Sequence, residues 1–377
     1  MPKLNPTTKN TKVLSVGLVS SPRHGGNRQW AAPIAGVSPR EMLDFSANIN
    51  PLGPPPSALA AIQAHLEELR HYPDPDYREL KLALGDFYGV SPDRVLPGNG
   101  AAELLTWIGR ELAHLESTVI LRPAFGDYDR AFNAFYSKTE NLYILNRDFR
   151  TEISLVENPQ NKGLLLNNPH NPTGKLIPKT EILDCIKKFN TVVIDEAFMD
   201  FLPPHQDQSC LDLVELYPNL IILRSLTKFY SLPGLRLGFV VAHPDRLERW
   251  QNWRDPWSVN CLAVAAGIGV VKDKGFQAQT WAWLPEARSD LYRKISQVEG
   301  FEPLPSLSNF LLIKTPVPGS KLQKYLLQNH KILIRDCLSF AELGEKYIRL
   351  AVLRNAAHDV LFKALVDLNT LSDYSLF

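Results

Sequence analysis

The sequence predicts an α/β fold, with a mostly parallel sheet in a large domain and a smaller α+β domain beside it. Two observations predict this fold. Short apolar runs alternate along the chain with segments whose apolar residues recur at helical spacing. The runs are rich in Val, Ile and Leu without polar alternation, which is typical of strands that helices cover on both faces. We predict strands at Thr118–Leu121, Leu142–Leu145, Gly163–Leu166, Thr191–Ile194, Leu220–Leu223 and Leu237–Val241.

Three helices are predicted before these strands. Ser57 follows three prolines and is expected to cap the first helix, which the proline-rich segment 72–76 ends. A second helix follows, and a turn at Gly98-Asn99-Gly100 precedes the third. Their apolar residues are Leu59, Ile62, Leu66 and Leu69 in the first, Leu80, Leu84 and Phe87 in the second, and Leu104, Ile108 and Leu112 in the third.

The smaller domain is predicted from the C-terminal pattern. A helical stretch from Leu284 leads into apolar runs at Leu311–Ile313, Ile332–Ile334 and Tyr347–Val352. We therefore predict a large domain at 54–283, a small domain that combines 24–53 with 284–377, and an N-terminal tail at 1–23. Within the tail, Val13–Val19 has the length of a signal-peptide core, but no A-x-A-like cleavage site follows it.

Composition excludes several classes of protein. The 377 residues include 41 Lys and Arg against 40 Asp and Glu, so no bulk charge favours nucleic acid. The four cysteines show no CxxC spacing, which argues against a disulfide framework or a metal site and favours a reducing cytoplasm. No stretch approaches the ~18 apolar residues that a membrane span needs. We expect neither a nucleic-acid nor a membrane partner.

Polar residues follow the predicted strands at one edge of the sheet, where ligands bind in open α/β folds. Lys228 follows a buried strand, and a partly desolvated lysine there has a lowered pKa and can form a Schiff base with an aldehyde. Asp195 can pair with a pyridinium nitrogen, and the Asn171 amide can donate to a phenolate oxygen. Each has a plain alternative, since a lone Lys is usually a surface charge and Asp and Asn are common turn residues.

A phosphate-binding site is expected close to Lys228. Asn99 and Gly100 precede a helix, whose N-terminus and backbone amides favour an anion. Ser225 and Arg236 flank Lys228 and are positioned to complete the site. Glycine turns before helices are common, so this signal is weak alone. Taken together, the imine-forming lysine, the aspartate, the asparagine and the phosphate site describe pyridoxal 5′-phosphate.

The order and spacing of Asn171, Asp195, Lys228 and Arg236 resemble those of the fold-type I aminotransferases. A closer resemblance, from His24 to about Leu361, is to the threonine-phosphate decarboxylases of the cobalamin pathway, which share ancestry with the histidinol-phosphate aminotransferases. It is carried by His24-Gly25-Gly26-Asn27, the segments 44–53 and 72–74, Gly98-Asn99-Gly100, the segments 195–198 and 224–230, Pro256-Trp257-Ser258-Val259-Asn260, and Ile332–Arg335.

The resemblance implies roles for individual residues. Lys228 would hold the cofactor covalently and act in catalysis, and Phe125, which is equally suited to the core, would stack on its ring. The residues implied to hold the phosphate are Asn99, Gly100, Ala101, Ser225 and Arg236. Tyr72 would reach the cofactor phosphate of a second subunit, so a homodimer with shared active sites is implied. The residues implied to bind substrate are His24, Gly25, Asn48, Asn171, Arg335 and Arg349, although a lone His or Arg is more often structural or on the surface.

The implied reaction is decarboxylation of L-threonine O-3-phosphate to (R)-1-amino-2-propanol O-2-phosphate. Histidinol-phosphate aminotransferase, or a related class I/II aminotransferase, is the alternative. A non-catalytic cofactor-binding regulator would need a DNA-binding domain, and the 23-residue tail is too short to supply one. The sequence departs from many aminotransferases at Phe198, where a tyrosine is usual, so no phenol can reach the ring oxygen there.

Overall fold

The computed structural model describes residues 22–145 and 147–370, so the predicted Val13–Val19 segment lies outside the described residues. The α-helices are α1 Arg28–Ala35, α2 Pro56–Ala64, α3 Arg78–Tyr88, α4 Ala101–Leu112, α5 Asp127–Asn133, α6 Phe149–Ser154, α7 Lys179–Ile186, α8 Leu226–Phe229, α9 Pro244–Gln251, α10 Cys261–Val271, α11 Lys274–Ser296, α12 Gly319–His330 and α13 Asn355–Thr370. The strands are β1 Leu43–Asp44, β2 Val95–Asn99, β3 Thr118–Arg122, β4 Thr139–Tyr143, β5 Gly163–Asn167, β6 Thr191–Asp195, β7 Leu220–Ser225, β8 Leu237–Val241, β9 Glu302–Pro303, β10 Phe310–Lys314, β11 Ile332–Leu333 and β12 Tyr347–Ala351.

A seven-stranded sheet forms the centre of the fold, in the order β2-β8-β7-β6-β5-β3-β4. It is mostly parallel, as the sequence predicts, and β8 alone among its strands runs antiparallel to its neighbours β2 and β7. Every residue of β5, β7 and β8 is buried, which explains why these strands read as continuous apolar runs. The sheet therefore lies between layers of helices, and its carboxyl edge is open for a site.

Two predictions near the edges of this sheet are wrong. The strand expected at Leu142–Leu145 begins earlier, at Thr139, because β4 is an edge strand whose residues are largely exposed and so carry little apolar signal. Gly98 and Asn99 are not a turn but the end of β2. Proline, glycine and asparagine are rare in strands, so the sequence of β2 hides it. This strand ends at the N-terminus of α4.

The first helix also departs from its prediction. Helix α2 begins at Pro56 with no side-chain cap, and the Ser57 hydroxyl instead donates to Asp273 Oδ2 at 2.6 Å. The helix ends at Ala64, and the leucines of the predicted apolar face are exposed, whereas Ile62 is half-buried and packs against the core. Leu59 is 56% exposed and Leu69 is 62% exposed. These leucines are therefore free to contact another molecule.

Two smaller sheets are built largely from strands of the C-terminal part of the chain. Strands β12, β10 and β9 form an antiparallel sheet, and β1 pairs in parallel with β11. The β1–β11 pairing joins the N-terminal segment to the C-terminal region, as the predicted small domain requires. The division into domains at 54–283 and the remainder stays a prediction, and its boundary at residue 284 falls inside α11.

Membrane-spanning helices, metal-binding clusters and disulfide bonds would each indicate another class of protein. None of their helices has the length and apolar character to cross a membrane. Within the same residues, no group of three or more His, Cys, Asp or Glu side chains is placed to hold a metal ion. Cys185, Cys210, Cys261 and Cys337 are all free thiols.

Candidate active site

A cavity of about 460 Å³ opens at the carboxyl edge of the central sheet. Its walls include the ends of β5, β6 and β7, the first residues of α4 and part of the C-terminal region. The structure brings together here the predicted residues His24, Gly25, Asn48, Ala101, Phe125, Asn171, Asp195, Ser225, Lys228, Arg236, Arg335 and Arg349. Gly100 adjoins the cavity through its contact with Arg236. Tyr72 does not line it: its side chain is exposed and stacks on Trp257.

Lys228 lies on the short helix α8, which follows β7 directly and so begins at the edge of the sheet. Its amine makes no hydrogen bond or ion pair with any described residue. Burial lowers the pKa of Lys228 to about 8, and the nearby guanidinium groups of Arg349 and Arg236 add to this, whereas Asp195 acts in the opposite direction. An amine that loses its proton near pH 8 is a better nucleophile toward an aldehyde than an ordinary lysine.

Asp195 is the last residue of β6, and two donors hold its carboxylate in place. The Tyr128 hydroxyl donates to Oδ2 at 2.8 Å, and the Ala197 backbone N–H donates to Oδ1 at 3.0 Å. Burial raises the pKa of Asp195, while these two hydrogen bonds and Lys228 favour its charged form. The carboxylate is thus oriented for a buried cation, such as a protonated ring nitrogen.

An anion cradle, formed by Gly100, Ala101, Ser225, Thr227 and Arg236, lies next to Lys228. Gly100 precedes α4 with a φ of 74° and provides no side-chain cap, so the positive end of the helix is free for a ligand. A Cβ on Gly100 would lie 2.5 Å from Arg236 Nη2, which only a glycine avoids. The Ser225 and Thr227 hydroxyls are 2.8 Å apart. This cradle suits a phosphate group.

Arg335 and Arg349 are paired across two neighbouring extended segments. Arg349 N–H donates to the Arg335 carbonyl at 2.9 Å, and Arg335 N–H donates back to the Arg349 carbonyl at 3.2 Å. Residues paired in this way project to the same face, and both side chains line the cavity. Arg335 Nη1 donates to the Pro22 carbonyl at 2.7 Å, and its Nη2 donates to the Arg23 carbonyl and to the Ser339 hydroxyl. Arg335 therefore joins the N-terminal segment to the cavity wall.

Arg349 has hydrogen bonds on both terminal nitrogens and none on Nε. Its Nη1 donates to Asn171 Oδ1 at 2.6 Å, and its Nη2 donates to the Ser46 carbonyl at 3.2 Å. Burial lowers the pKa of Arg349 to about 10, and the neighbouring Arg335 adds to this. Because Asn171 Oδ1 is already an acceptor for Arg349, the amide NH2 of Asn171 is left as a donor, as its predicted role toward a phenolate oxygen requires.

Unpartnered polar atoms in the cavity wall indicate where a ligand would bind. Both side-chain polar atoms of Asn48 are buried without a hydrogen-bond partner, and so is Asn167 Oδ1. A buried polar group left unsatisfied costs about 1–3 kcal/mol. A polar ligand that bonded to these atoms would remove this cost, so they favour ligand binding in the cavity.

The segment around His24 and Gly25 packs tightly against Ser46. A Cβ on Gly25 would lie 2.0 Å from the Ser46 carbonyl oxygen, and the Gly26 N–H donates to the Ser46 hydroxyl at 2.7 Å. The His24 ring centroid lies 5.3 Å from that of Phe125. Burial is the main cause that lowers the pKa of His24. The absent side chain of Gly25 is thus what allows His24 to reach the cavity.

We expect Gly25→Ala to move this segment away from Ser46, because the added methyl has no room. The expected loss is ~1–3 kcal/mol of unfolding free energy, the range for overpacked sites, together with weaker substrate binding. Thermal unfolding and KM would measure the two effects. Gly275→Ala is the control, because the nearest atom to a Cβ there, an oxygen of Asp273, is 3.5 Å away. Equal melting temperatures for the two variants would contradict this packing argument.

Several residues of the site carry no distinct signal in the sequence. Tyr128 lies one helical turn beyond Phe125, and this spacing is the one clue to its contact with Asp195. Thr227 lies within the lysine motif, where the neighbouring Ser225 and Lys228 carry the stronger signal. The other cavity residues without a predicted role include Arg23, Asn167, Ser339 and Phe340. Phe198 lines the cavity and, as the sequence implies, brings no phenol hydroxyl to it. Its ring packs edge-to-face on Phe310, with ring centroids 5.1 Å apart.

The fold and this arrangement of lysine, aspartate and anion cradle define a class of cofactor-dependent enzymes. Residues 40–365 match the family described as aminotransferase class I and II, so the chain belongs to that family. Enzymes of this family depend on pyridoxal 5′-phosphate. The described residues fit that group: Lys228 is a free amine, Asp195 is oriented for the ring nitrogen, and the anion cradle has space only because residue 100 is a glycine.

Three of the relatives represent two activities. The chain is 36% identical to threonine-phosphate decarboxylase of Salmonella typhimurium over 91% of this chain and 95% of that protein. The solved L-threonine-O-3-phosphate decarboxylase from Porphyromonas gingivalis superposes with a TM-score of 0.80 at 25% identity, covering 87% of this chain and 100% of that one. The histidinol-phosphate aminotransferase from Clostridium acetobutylicum superposes with a TM-score of 0.81 at 28% identity, covering 88% and 100%.

Proposed function

We propose that this chain is a pyridoxal 5′-phosphate-dependent decarboxylase that converts L-threonine O-3-phosphate to (R)-1-amino-2-propanol O-2-phosphate in cobalamin biosynthesis. The observation that carries the proposal is the pairing of Arg335 with Arg349 on one cavity wall. Two guanidinium groups suit a substrate with both a carboxylate and a phosphate. The similarity to the Salmonella decarboxylase over nearly the whole chain supports the same assignment.

Each cofactor contact would come from a residue described above. Lys228 would hold the aldehyde carbon covalently, and Asp195 would keep the ring nitrogen protonated. Asn171 would donate to the ring oxygen, and the anion cradle would hold the phosphate. When bound, the cofactor draws electrons from the substrate Cα bond that stands perpendicular to its ring. After CO₂ has left, the Lys228 amine would return a proton to Cα.

The choice of reaction depends on which substrate group the arginines hold. If an arginine held the carboxylate in place, that group would be retained and the Cα–H bond would break instead. If the phosphate end is fixed by His24, Asn48 and an arginine, the carboxylate can stand out of the plane and leave as CO₂. Asn48 has two unpartnered polar atoms for this purpose.

The aminotransferase reaction is the second candidate, because it needs the same cofactor residues. Histidinol phosphate has an amine and a phosphate but no carboxylate, so it would leave one of the paired arginines without an anion of its own. Steady-state assays with threonine phosphate, and with histidinol phosphate plus 2-oxoglutarate, would compare the two. We expect the higher kcat/KM with threonine phosphate. A higher value with histidinol phosphate would overturn the proposal.

We expect His24→Ala to degrade reaction choice more than substrate binding, because His24 lies against Phe125 in the cavity wall, where it would orient the bound substrate. Some threonine phosphate should then be transaminated, with pyridoxamine phosphate formed in place of CO₂. Measuring both products in one reaction gives the partition ratio. A variant that releases only CO₂ at the wild-type rate would show that His24 is structural.

We also propose that the chain acts as a homodimer with shared active sites. The predicted first helix and the residues after it expose apolar side chains on this chain: Leu59, Leu66, Leu69, Tyr72 and Leu82. Tyr72 is 78% exposed and stacks on Trp257 with ring centroids 4.5 Å apart. In a dimer, this tyrosine would be available to the anion cradle of the partner.

Leu69→Asp is expected to weaken the dimer, because a carboxylate in an apolar interface loses its hydration without gaining a partner. The cofactor should then be released more readily, since the partner's Tyr72 would be lost with the dimer. Sedimentation and absorbance after gel filtration would measure the two effects. Leu155→Asp is the control, because Leu155 is 69% exposed outside this surface. A Leu69→Asp dimer as stable as the control would argue against this interface.

The cellular compartment is part of the proposal. We place the chain in the cytoplasm. This is supported by its four free cysteines, three of which are buried, because such thiols persist in a reducing compartment. Localisation of a tagged full-length chain by cell fractionation would test it.

A further inference from the structure

Arg254 lies behind the anion cradle, two residues before the Pro256–Asn260 segment that carries part of the resemblance. Its side chain is 3% exposed. Nη1 donates to the Pro97 carbonyl at 2.5 Å, and Nη2 donates to the Ser258 hydroxyl. Pro97 belongs to β2, which leads directly to Gly100. The arginine thus ties the segment 254–260 to the strand that carries the cradle glycine.

Arg254 also meets the helix on the other side of the cradle. Its Nε lies 3.6 Å from Glu103 Oε1, in the first turn of α4. Glu103 Oε2 accepts the Asn99 N–H at 2.6 Å, and Oε1 accepts the Trp107 Nε1–H at 3.0 Å. The Asn99 backbone amide is therefore engaged by Glu103 rather than free for a ligand. The glutamate fixes the turn between β2 and α4.

The negative charge of Glu103 would repel a bound phosphate, and Arg254 offsets this repulsion. A carboxylate in the first turn of α4 is a short distance from any phosphate in the anion cradle, and like charges repel strongly at partly buried positions. Arg254 provides the opposite charge next to the glutamate. With this ion pair, Glu103 can shape the turn without excluding an anion.

The segment that holds Arg254 is fixed at several further points. The Tyr77 hydroxyl donates to the Pro256 carbonyl at 3.1 Å and accepts the Val259 N–H at 3.0 Å. Asn260 Nδ2 donates to the Leu235 carbonyl at 3.2 Å, one residue before Arg236 of the cradle. Arg254 is therefore held in one position relative to both walls of the cradle.

We propose that Arg254 is a positioning residue for the cofactor phosphate, which acts by pairing with Glu103 and by bonding the Pro97 carbonyl. This inference rests on the proposed cofactor. Arg254 itself lies outside the lining of the cavity, so it would act on the phosphate through Glu103 and Pro97. Its effect should therefore depend on the phosphate and on no other part of the cofactor.

The experiment compares pyridoxal 5′-phosphate with pyridoxal, which lacks the phosphate. The full-length chain is freed of cofactor, and each ligand is titrated by absorbance. We expect Arg254→Gln to lower the affinity for pyridoxal 5′-phosphate about tenfold, or ~1.4 kcal/mol, and to leave the affinity for pyridoxal unchanged. If Arg254 only stabilised the fold, its replacement would lower the affinity for both ligands equally.

Matched variants separate charge from shape. Arg254→Lys keeps the charge but cannot make all three guanidinium contacts, so an intermediate loss is expected. Combining Glu103→Gln with Arg254→Gln should recover part of the affinity, because the unpaired carboxylate is gone. Arg249→Gln is the control, since Arg249 pairs with Glu111 near the opposite end of α4. It should leave both ligands unaffected.

The outcomes distinguish this inference from the function on which it rests. A wild-type chain that binds pyridoxal 5′-phosphate no better than pyridoxal would overturn the proposed cofactor site itself. A wild type with a clear phosphate preference that Arg254→Gln retains would overturn the role of Arg254 alone. If Arg254→Gln fails to fold, the ratio measured for Arg254→Lys decides between the same two results.

Discussion

Lys228→Ala is expected to lower the rate of decarboxylation by at least ~10³-fold, because the amine both holds the cofactor and exchanges the proton at Cα. The structure supports both tasks, since this amine lies near Asp195 and makes no hydrogen bond or ion pair with the described residues. CO₂ release from threonine phosphate would measure the loss. Lys187→Ala is the control, because Lys187 is exposed at the end of α7. A Lys228→Ala enzyme with substantial activity would assign catalysis to another group.

The pH dependence of cofactor attachment tests the environment of the same lysine. The pKa of Lys228 is lowered to about 8, so the reactive neutral amine is the major form only above that pH. Attachment to the cofactor-free chain should therefore accelerate from pH 6.5 to 9, with a midpoint near 8. An ordinary lysine would respond at a much higher pH. Borohydride reduction and peptide mapping should place the cofactor on Lys228.

Arg349→Ala is expected to lower kcat/KM for threonine phosphate about 100-fold, because a charge-assisted hydrogen bond contributes ~1.5–3 kcal/mol. Most of the loss should be in KM, since Arg349 is predicted to bind a substrate anion. The variant also removes a cation that lowers the pKa of Lys228. The pH midpoint for cofactor attachment should therefore move upward.

The control for Arg349→Ala is Arg293→Ala, which removes an exposed arginine that pairs with Asp290 on α11. It should change neither KM nor the pH midpoint. A loss confined to kcat, with KM and the midpoint unchanged, would contradict substrate binding by Arg349. Such a result would indicate that Arg349 acts mainly by orienting Asn171.

The sequence predicts the central sheet well because buried parallel strands are apolar throughout, as in β5 and β7. It also predicts that ionisable groups gather at the carboxyl edge, since that follows from topology. Strand β2 is hidden because proline and glycine stand where a strand former would. The leucines of the predicted first helix are exposed on this chain, because periodicity indicates only that a face is apolar and not what covers it.

The details of the site depend on distant parts of the chain. The hydrogen bond from Arg349 to Asn171 joins residues far apart in sequence, and so does the contact of Gly25 with Ser46. The order of motifs indicates that these residues belong to one site but not which atoms meet. For the same reason, the pairing of Arg254 with Glu103 becomes visible only in the structure.

Incubation of the purified enzyme with threonine phosphate in D₂O, followed by mass spectrometry of the product, tests the central claim most directly. Decarboxylation places one solvent deuteron on the former Cα. We therefore predict 1-amino-2-propanol phosphate with a single carbon-bound deuterium and one CO₂ for each substrate consumed. A keto acid that retains the carboxylate, formed with pyridoxamine phosphate and without CO₂, would contradict the account.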